Sequence, residues 1–341
     1  MRASGPRSCA ALATDTRGAG LVEYMMVVGL VALVGIGGFR AFGSAALAKV
    51  NDQADCVATF SCETGAPAGV DAPDGAVAPG LDGTPPPGNP GFGTATGATG
   101  HTAITGQPFV LGNGDGTAVH PNDITQGGLG DCWILSSLGA LALQNRSIIE
   151  NAVRDNGDGT YTVTFYEPTN AGWWAFWADD YRKVEITVNN EFATDQNGNP
   201  AFTRPGDPNE LWPMIIEKAY AQWKGGYDKI AGGVAGNALE ALTGQESTVV
   251  VGDLSLEDMA DKFEDGEAIV LSSMPKDQGT SELYTNGTLV TGHAYFVTNV
   301  DRNAGTVTIH NPWGWSGGEI TVTYQQYVDN FYRYSTNPAE D

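Results

Sequence analysis

The sequence predicts an α+β protein: a helical lobe faces a β-rich lobe across a cleft, and one N-terminal membrane helix precedes both. Four stretches carry that prediction. Residues 24–39, YMMVVGLVALVGIGGF, form an apolar run without charge. Residues 132–144, CWILSSLGALALQ, are apolar or small almost throughout, which suits a buried helix. Residues 292–300, GHAYFVTNV, and 306–310, TVTIH, alternate as strands do and flank the turn-like DRNAG.

The chain has 341 residues, 41% of them hydrophobic and 9% aromatic, which fits a globular core of one large domain or two small ones plus extra segments. All eight Trp lie between Trp133 and Trp315, so the core belongs to the C-terminal part. With 40 acidic and 17 basic residues the formal charge is −23. The phosphate backbone of a nucleic acid would be repelled, and no basic stripe offsets this, so no nucleic-acid partner is expected. The four Cys contain no CxxC, which excludes a four-thiolate zinc site. Cys56 and Cys62 are near enough in sequence to close a small disulfide outside the cytoplasm, and Cys132 is left without a structural partner.

The N-terminus reads as an address. The apolar run is near the lower limit for a spanning helix, and Arg2, Arg7 and Arg17 precede it, so the positive-inside rule keeps the N-terminus cytoplasmic and exports the rest. Glu23 at the head of an apolar helix is costly in lipid and asks for a reason. Two readings fit: an ordinary single-span anchor with an incidental Glu, or a pilin-like start. Residues 17–24, RGAGLVEY, resemble the start of type IVb pilins of the tight-adherence kind. That resemblance implies cleavage by a prepilin peptidase after Gly18, with Glu23 and Tyr24 at the fifth and sixth mature positions, and pilin-type assembly partners. It gives a leader at 1–18 and a hydrophobic helix at 19–43. Residues 44–100 follow as a linker, dense in Gly, Ala, Pro and Thr from about Gly65, that cannot bury enough apolar surface to order itself.

The remaining chain carries the chemistry, divided into a Cys-bearing lobe at 101–244 and a β-rich lobe at 245–341. A thiol nucleophile needs a His to move its proton, a third group to orient that His, and donors for the oxyanion. Cys132 opens its helix after the glycine-rich QGGLGD of 126–131, where the macrodipole favours a thiolate. Gln126 lies six residues upstream, with an amide to offer the oxyanion. Of the four His, His101 and His120 precede the Cys, and His310 reads as a strand residue without a catalytic task. His293 begins one strand of the 292–310 hairpin, and the open end of that hairpin places it beside Asn311, whose side chain can fix its tautomer. Trp313 is near enough to shield that bond from water. The segments DNGDG at 155–159 and DQNGN at 195–199 do not fit an EF-hand loop and read as hairpin turns.

These motifs, QGGLGDCW, GHAY and NPWG, with NELWP and EKAYA between them, resemble the calpain family of papain-fold cysteine proteases over about residues 123–315. The resemblance implies a papain-like fold and peptide-bond hydrolysis through Cys132 as nucleophile, His293 as base and acid, Asn311 as orienting residue and Gln126 as oxyanion donor. Its partners are protein or peptide substrates. No cofactor is required for the chemistry. Calcium is a separate matter: Asp123 and Glu217 fall where acidic ligands of the family's first site are expected, whereas Gly317-Gly318-Glu319 does not look like its second-site loop. Two competing functions are a transglutaminase-type acyl transferase, which prefers Asp where this chain has Asn311, and an inactive pilus-associated structural protein. The expected setting is the bacterial cell envelope, in the inner membrane or on a pilus, with the catalytic part outside the cytoplasm. Gly18→Ala is expected to block N-terminal processing, read as an unshifted mature mass; a mature terminus beyond the apolar run would sink the pilin-like reading.

Overall fold

In the computed structural model the described residues are 88–111, 116–169, 181–205, 210–314 and 318–338, within a unit spanning Ala72–Asp341. The expected leader, membrane helix, most of the linker and the Cys56–Cys62 pair lie outside them. Among the described residues no helix is long and apolar enough to cross a membrane.

The first lobe contains β1 (Gly100–Ala103), β2 (Ile124–Thr125), α1 (Cys132–Gln144), α2 (Arg146–Ala152), β3 (Val153–Asp155), β4 (Thr160–Pro168), β5 (Tyr181–Asn189), β6 (Glu191–Thr194), β7 (Arg204–Pro205), α3 (Trp212–Lys224) and α4 (Ala235–Thr243). Every residue of α1 from Trp133 to Ala142 is buried, which explains a helix that is apolar on all faces. Pro213 starts α3, where its missing N–H costs nothing, and Gly225 ends it at φ 95°, the left-handed conformation that favours glycine. This half is less helical than its sequence suggests. Strands β3, β4 and β5 form an antiparallel sheet, and β1–β6 and β2–β7 form two small antiparallel pairs. The DNGDG segment is the β3–β4 turn, closed by Asn156 N–H to Thr160 O at 3.0 Å. In DQNGN, Asp195 Oδ1 accepts from the N–H groups of Asn197 and Asn199. Both therefore serve as turns.

The second lobe has β8 (Thr248–Val251), α5 (Leu256–Glu264), β9 (Ala268–Ser273), α6 (Glu282–Thr285), β10 (Ala294–Asp301), β11 (Thr306–His310), β12 (Glu319–Thr323), α7 (Tyr324–Asn330) and β13 (Phe331–Asn337). Its strands make one antiparallel sheet in the order β12-β11-β10-β9-β13-β8. The central strands are buried on both faces. Ala268 and Val270 of β9 and Ala294 and Phe296 of β10 join the core built around α1, while Ile269, Leu271, Tyr295 and Val297 join a second core under α5 and α7. Alternation of side chains across the pleat thus turns two continuous apolar runs into the inner faces of two cores. At one edge, β8 leaves Val251 72% exposed.

The last part of the stretch read as linker is packed. Tyr227 N–H donates to Gly91 O at 2.9 Å, and the Phe92 ring stacks on His101 and meets Phe202 and Tyr227. Lys218, fully buried in α3, donates to Asn89 Oδ1 at 2.8 Å and to Asn189 and the Glu191 carbonyl. Burial lowers the Lys218 amine to about 8, against the pull of the Glu191 carboxylate. Composition hid this strap, because glycines and prolines around Phe92 mask one aromatic anchor. Phe92→Ala is expected to lower unfolding stability by about 2 kcal/mol, below the full cost for a buried Phe because this ring is half-buried. The check is a urea unfolding midpoint; no change would show that the strap merely rests on the lobe.

Candidate active site

Cys132, the first residue of α1, is a free thiol and half-buried. The glycines before it are forced by close approaches. A Cβ on Gly127 would sit 1.9 Å from Phe202 O, and Gly128 N–H donates to Ala201 O at 2.8 Å. Beyond the helix start, Trp133 Nε1–H donates to Ile230 O at 3.0 Å, and its ring fills the space where Gly233 would carry a side chain.

His293 precedes β10 and Asn311 follows β11. The register Phe296↔His310, continued one step, sets Asn311 across from Tyr295, so His293 is its diagonal neighbour on the same face. His293 Nε2 lies 2.9 Å from Asn311 Oδ1. The same oxygen accepts from Trp313 N–H at 3.1 Å, which identifies this atom of Asn311 as the acceptor. His293 Nε2 therefore carries the hydrogen, and Nδ1 keeps its lone pair for a proton. The Trp313 ring lies 5.0 Å from the imidazole, centre to centre, and is 46% exposed. It thus stands between the His–Asn bond and water.

The thiol meets the second lobe beside that His: the backbone of Ala294 hydrogen-bonds the Cys132 sulfur. Burial pushes the thiol up to about 11; the Ala294 N–H opposes this and the Asp131 charge adds to it. Burial also lowers His293, against its bond to Asn311. Desolvation thus opposes the thiolate that the helix N-terminus favours, and it disfavours the charged form of both groups.

Gln126 is buried next to this pair and ties the lobes, since its N–H donates to Pro312 O at 2.8 Å. Its side-chain Nε2–H groups are engaged, donating to Leu129 O at 2.7 Å and Asp131 Oδ1 at 3.2 Å. This differs from a donor standing free for the oxyanion: the amide must exchange one bond to serve. Asp131 holds the N-cap position of α1 but makes no side-chain cap bond. It turns inward instead to Gln126 and Glu217.

Asp123 and Glu217, the expected calcium ligands, each have protein hydrogen-bond partners. Asp123 Oδ2 accepts from His120 N–H at 2.7 Å and Trp212 Nε1–H at 3.1 Å. Glu217 Oε1 accepts from Thr203 N–H at 3.0 Å and Thr203 Oγ1–H at 2.6 Å, and Glu217 hydrogen-bonds Asp131. Burial first, then the Asp131 charge, raises Glu217 well above the usual carboxylate range. Among the described residues no group of three or more His, Cys, Asp or Glu can hold a metal ion. His310 is a buried strand residue stacked on Phe296, and His120 Nδ1 caps the turn before β2 by accepting from Asn122 N–H at 3.1 Å. The Asp131–Glu217 partnership escaped the sequence. Its one signal was an acid after Pro213-Met214-Ile215-Ile216, in the middle of an apolar helix face.

The family model for the calpain family cysteine protease matches residues 109–326. Calpain-9 of Mus musculus is 29% identical over 223 residues, covering 61% of this chain and 30% of that protein. Calpain-8 of Rattus norvegicus is 30% identical over 223 residues with the same coverage. The calpain-type cysteine protease ADL1 of Oryza sativa subsp. japonica is 30% identical over 232 residues, 63% of this chain but 10% of that protein. The chain thus spans a minor part of each relative's length.

The relative placement of Cys132 and His293 depends on Gly139, where a Cβ would lie 2.4 Å from the buried Phe296 ring. Gly139→Ala is expected to lose stability, because overpacking of about 1–3 kcal/mol exceeds a helix-propensity gain of up to about 1 kcal/mol. Peptidase turnover should fall with it, as α1 is levered off β10. Urea midpoints and initial rates check this; a stabilised variant at full turnover would show that the contact does not set the register.

Proposed function

Because the chain belongs to the calpain family of cysteine proteases, we propose that it is an endopeptidase that hydrolyses protein substrates through an acyl-enzyme on Cys132. The observation that carries this reading is the 2.9 Å His293–Asn311 bond beside a thiol that touches Ala294 N–H. The Cys132 sulfur attacks the scissile carbonyl as its proton passes to His293 Nδ1. The carbonyl oxygen becomes an oxyanion, met by first-turn N–H groups of α1, which lie outside the helical ladder, and by the Gln126 amide. His293 then gives the proton to the leaving amine, leaving a thioester. Water, deprotonated by the same imidazole, attacks the thioester and regenerates the thiol. Asn311 holds the imidazole ring and tautomer throughout, and Trp313 keeps water from the bond that does so.

The reading extends to address. Gly18, Glu23 and Tyr24, with the apolar run after them, support a catalytic part exported on a pilin-like segment and held at the membrane or on a pilus.

The test is cleavage of casein by the full chain, with labelling by a thiol-directed epoxide. Wild type should cleave and label once, at Cys132. Cys132→Ala should lose both, and Asn311→Ala should lose turnover on the order of 100-fold or more while still labelling. Casein cleavage by Cys132→Ala at the wild-type rate would sink the reading, and amine incorporation without cleavage would favour acyl transfer.

A further inference from the structure

The glycine loop that delivers Cys132 is held from two sides, and one aromatic ring braces both. On the first side, Gly128 N–H donates to Ala201 O at 2.8 Å, and Phe202 O lies where Gly127 would carry a Cβ. On the second, Gly232 N–H donates to Gly130 O at 2.8 Å, and Trp133 Nε1–H donates to Ile230 O at 3.0 Å. Each side carries a buried ring next to its contact with the loop. One is Phe202; the other is Tyr227, which opens the short turn Tyr227–Lys229 that Ile230 N–H closes on Tyr227 O. The two rings meet with centroids 4.7 Å apart. Phe92 packs on both, edge-on to Phe202 at 6.1 Å and stacked on Tyr227 at 5.9 Å. The backbone around Phe92 is in register too. Gly91 O accepts from Tyr227 N–H at 2.9 Å, and Gly93 stands at φ 54°, where a Cβ would overlap the Asp228 carboxyl. This strap lies upstream of residues 109–326, so the family match assigns it no role.

We propose that Phe92 is a positioning residue for Cys132: packed against Phe202 and Tyr227, it holds the two segments that grip residues 127–130, and through them the start of α1. The loop needs such a brace. Gly127, Gly128 and Gly130 have no side chains with which to fix their own course. Asp131 makes no side-chain cap bond, so α1 begins without the usual local fixture. An entry loop built this way takes its position from its neighbours, and a misplacement of about 1 Å at a reacting group can cost on the order of 100-fold in rate. The effect assigned to Phe92 passes through ring packing and the hydrogen bonds named above. The catalytic unit of this chain thus begins at the strap.

This inference rests on the cysteine-peptidase reading for its kinetic arm alone. The variants are Phe92→Ala, Phe92→Tyr, which keeps the ring, and Met259→Ala, which truncates a fully buried side chain in the second core, under α5. Each full-length variant is compared with wild type by urea midpoint, by casein kinetics, and by amide hydrogen exchange over residues 126–131 and 230–233, read by mass spectrometry. Phe92→Ala should lower kcat about tenfold with KM within about twofold of wild type, because the group displaced is the one that attacks. In the same variant the Gly128 and Gly232 amides should exchange about tenfold faster or more, since their bonds open locally. Phe92→Tyr should recover most of both. Met259→Ala, at least as destabilised, should stay within about twofold of wild type in kcat and in exchange at these amides. Phe92→Ala with wild-type kcat or wild-type exchange would overturn the assignment. So would Met259→Ala losing both in step with its midpoint, or a Phe92→Tyr that recovers neither. A wild type inert on casein would overturn the peptidase reading, and the exchange comparison would then decide the strap by itself.

Discussion

Packing of α1 against β10 is the constraint on which the site depends. Cys132, the proposed nucleophile, is the first residue of that helix, and His293, the proposed base, is the residue just before that strand. Phe296 on the strand and Gly139 on the helix fix how closely the two approach. Everything at the centre is therefore set by one core contact. The Gln126 N–H bond to Pro312 O adds a second point of registration at the cleft floor, and the Gly314 backbone passes close to Thr125 beside it. The lobes are joined where the chemistry needs them joined.

The electrostatics follow from the same burial. A helix N-terminus alone would lower a thiol, but here the sulfur is desolvated and lies beside the Asp131 charge. Asn311 and Trp313 give the imidazole a hydrogen bond and a covering ring rather than a charge.

Much of this was legible in the residues. The uniform apolarity of 132–142 announced a helix buried on all sides, and the hairpin alternation at 294–310 placed His293 next to Asn311 through pairing geometry alone. Local pattern suffices for such features, because strand register and helix burial repeat along the chain. It fails for Asp131, Glu217 and Thr203, which meet across the fold with no periodicity linking them. It also fails at residues 88–100, where a few side chains anchor a segment whose composition reads as tether.

The sheet of the second lobe ends on β8, a short strand whose outer backbone faces no partner strand in that sheet and whose Val251 stands bare. Such an edge can accept a strand from another copy. What opposes that joining is the formal charge of −23, which makes close approach of two copies unfavourable at neutral pH. That repulsion fades as acidity approaches the sequence pI of about 4.3. The surplus of carboxylates thus does for this edge what a covering element does elsewhere, and colloidal behaviour is written into the surface rather than into the fold.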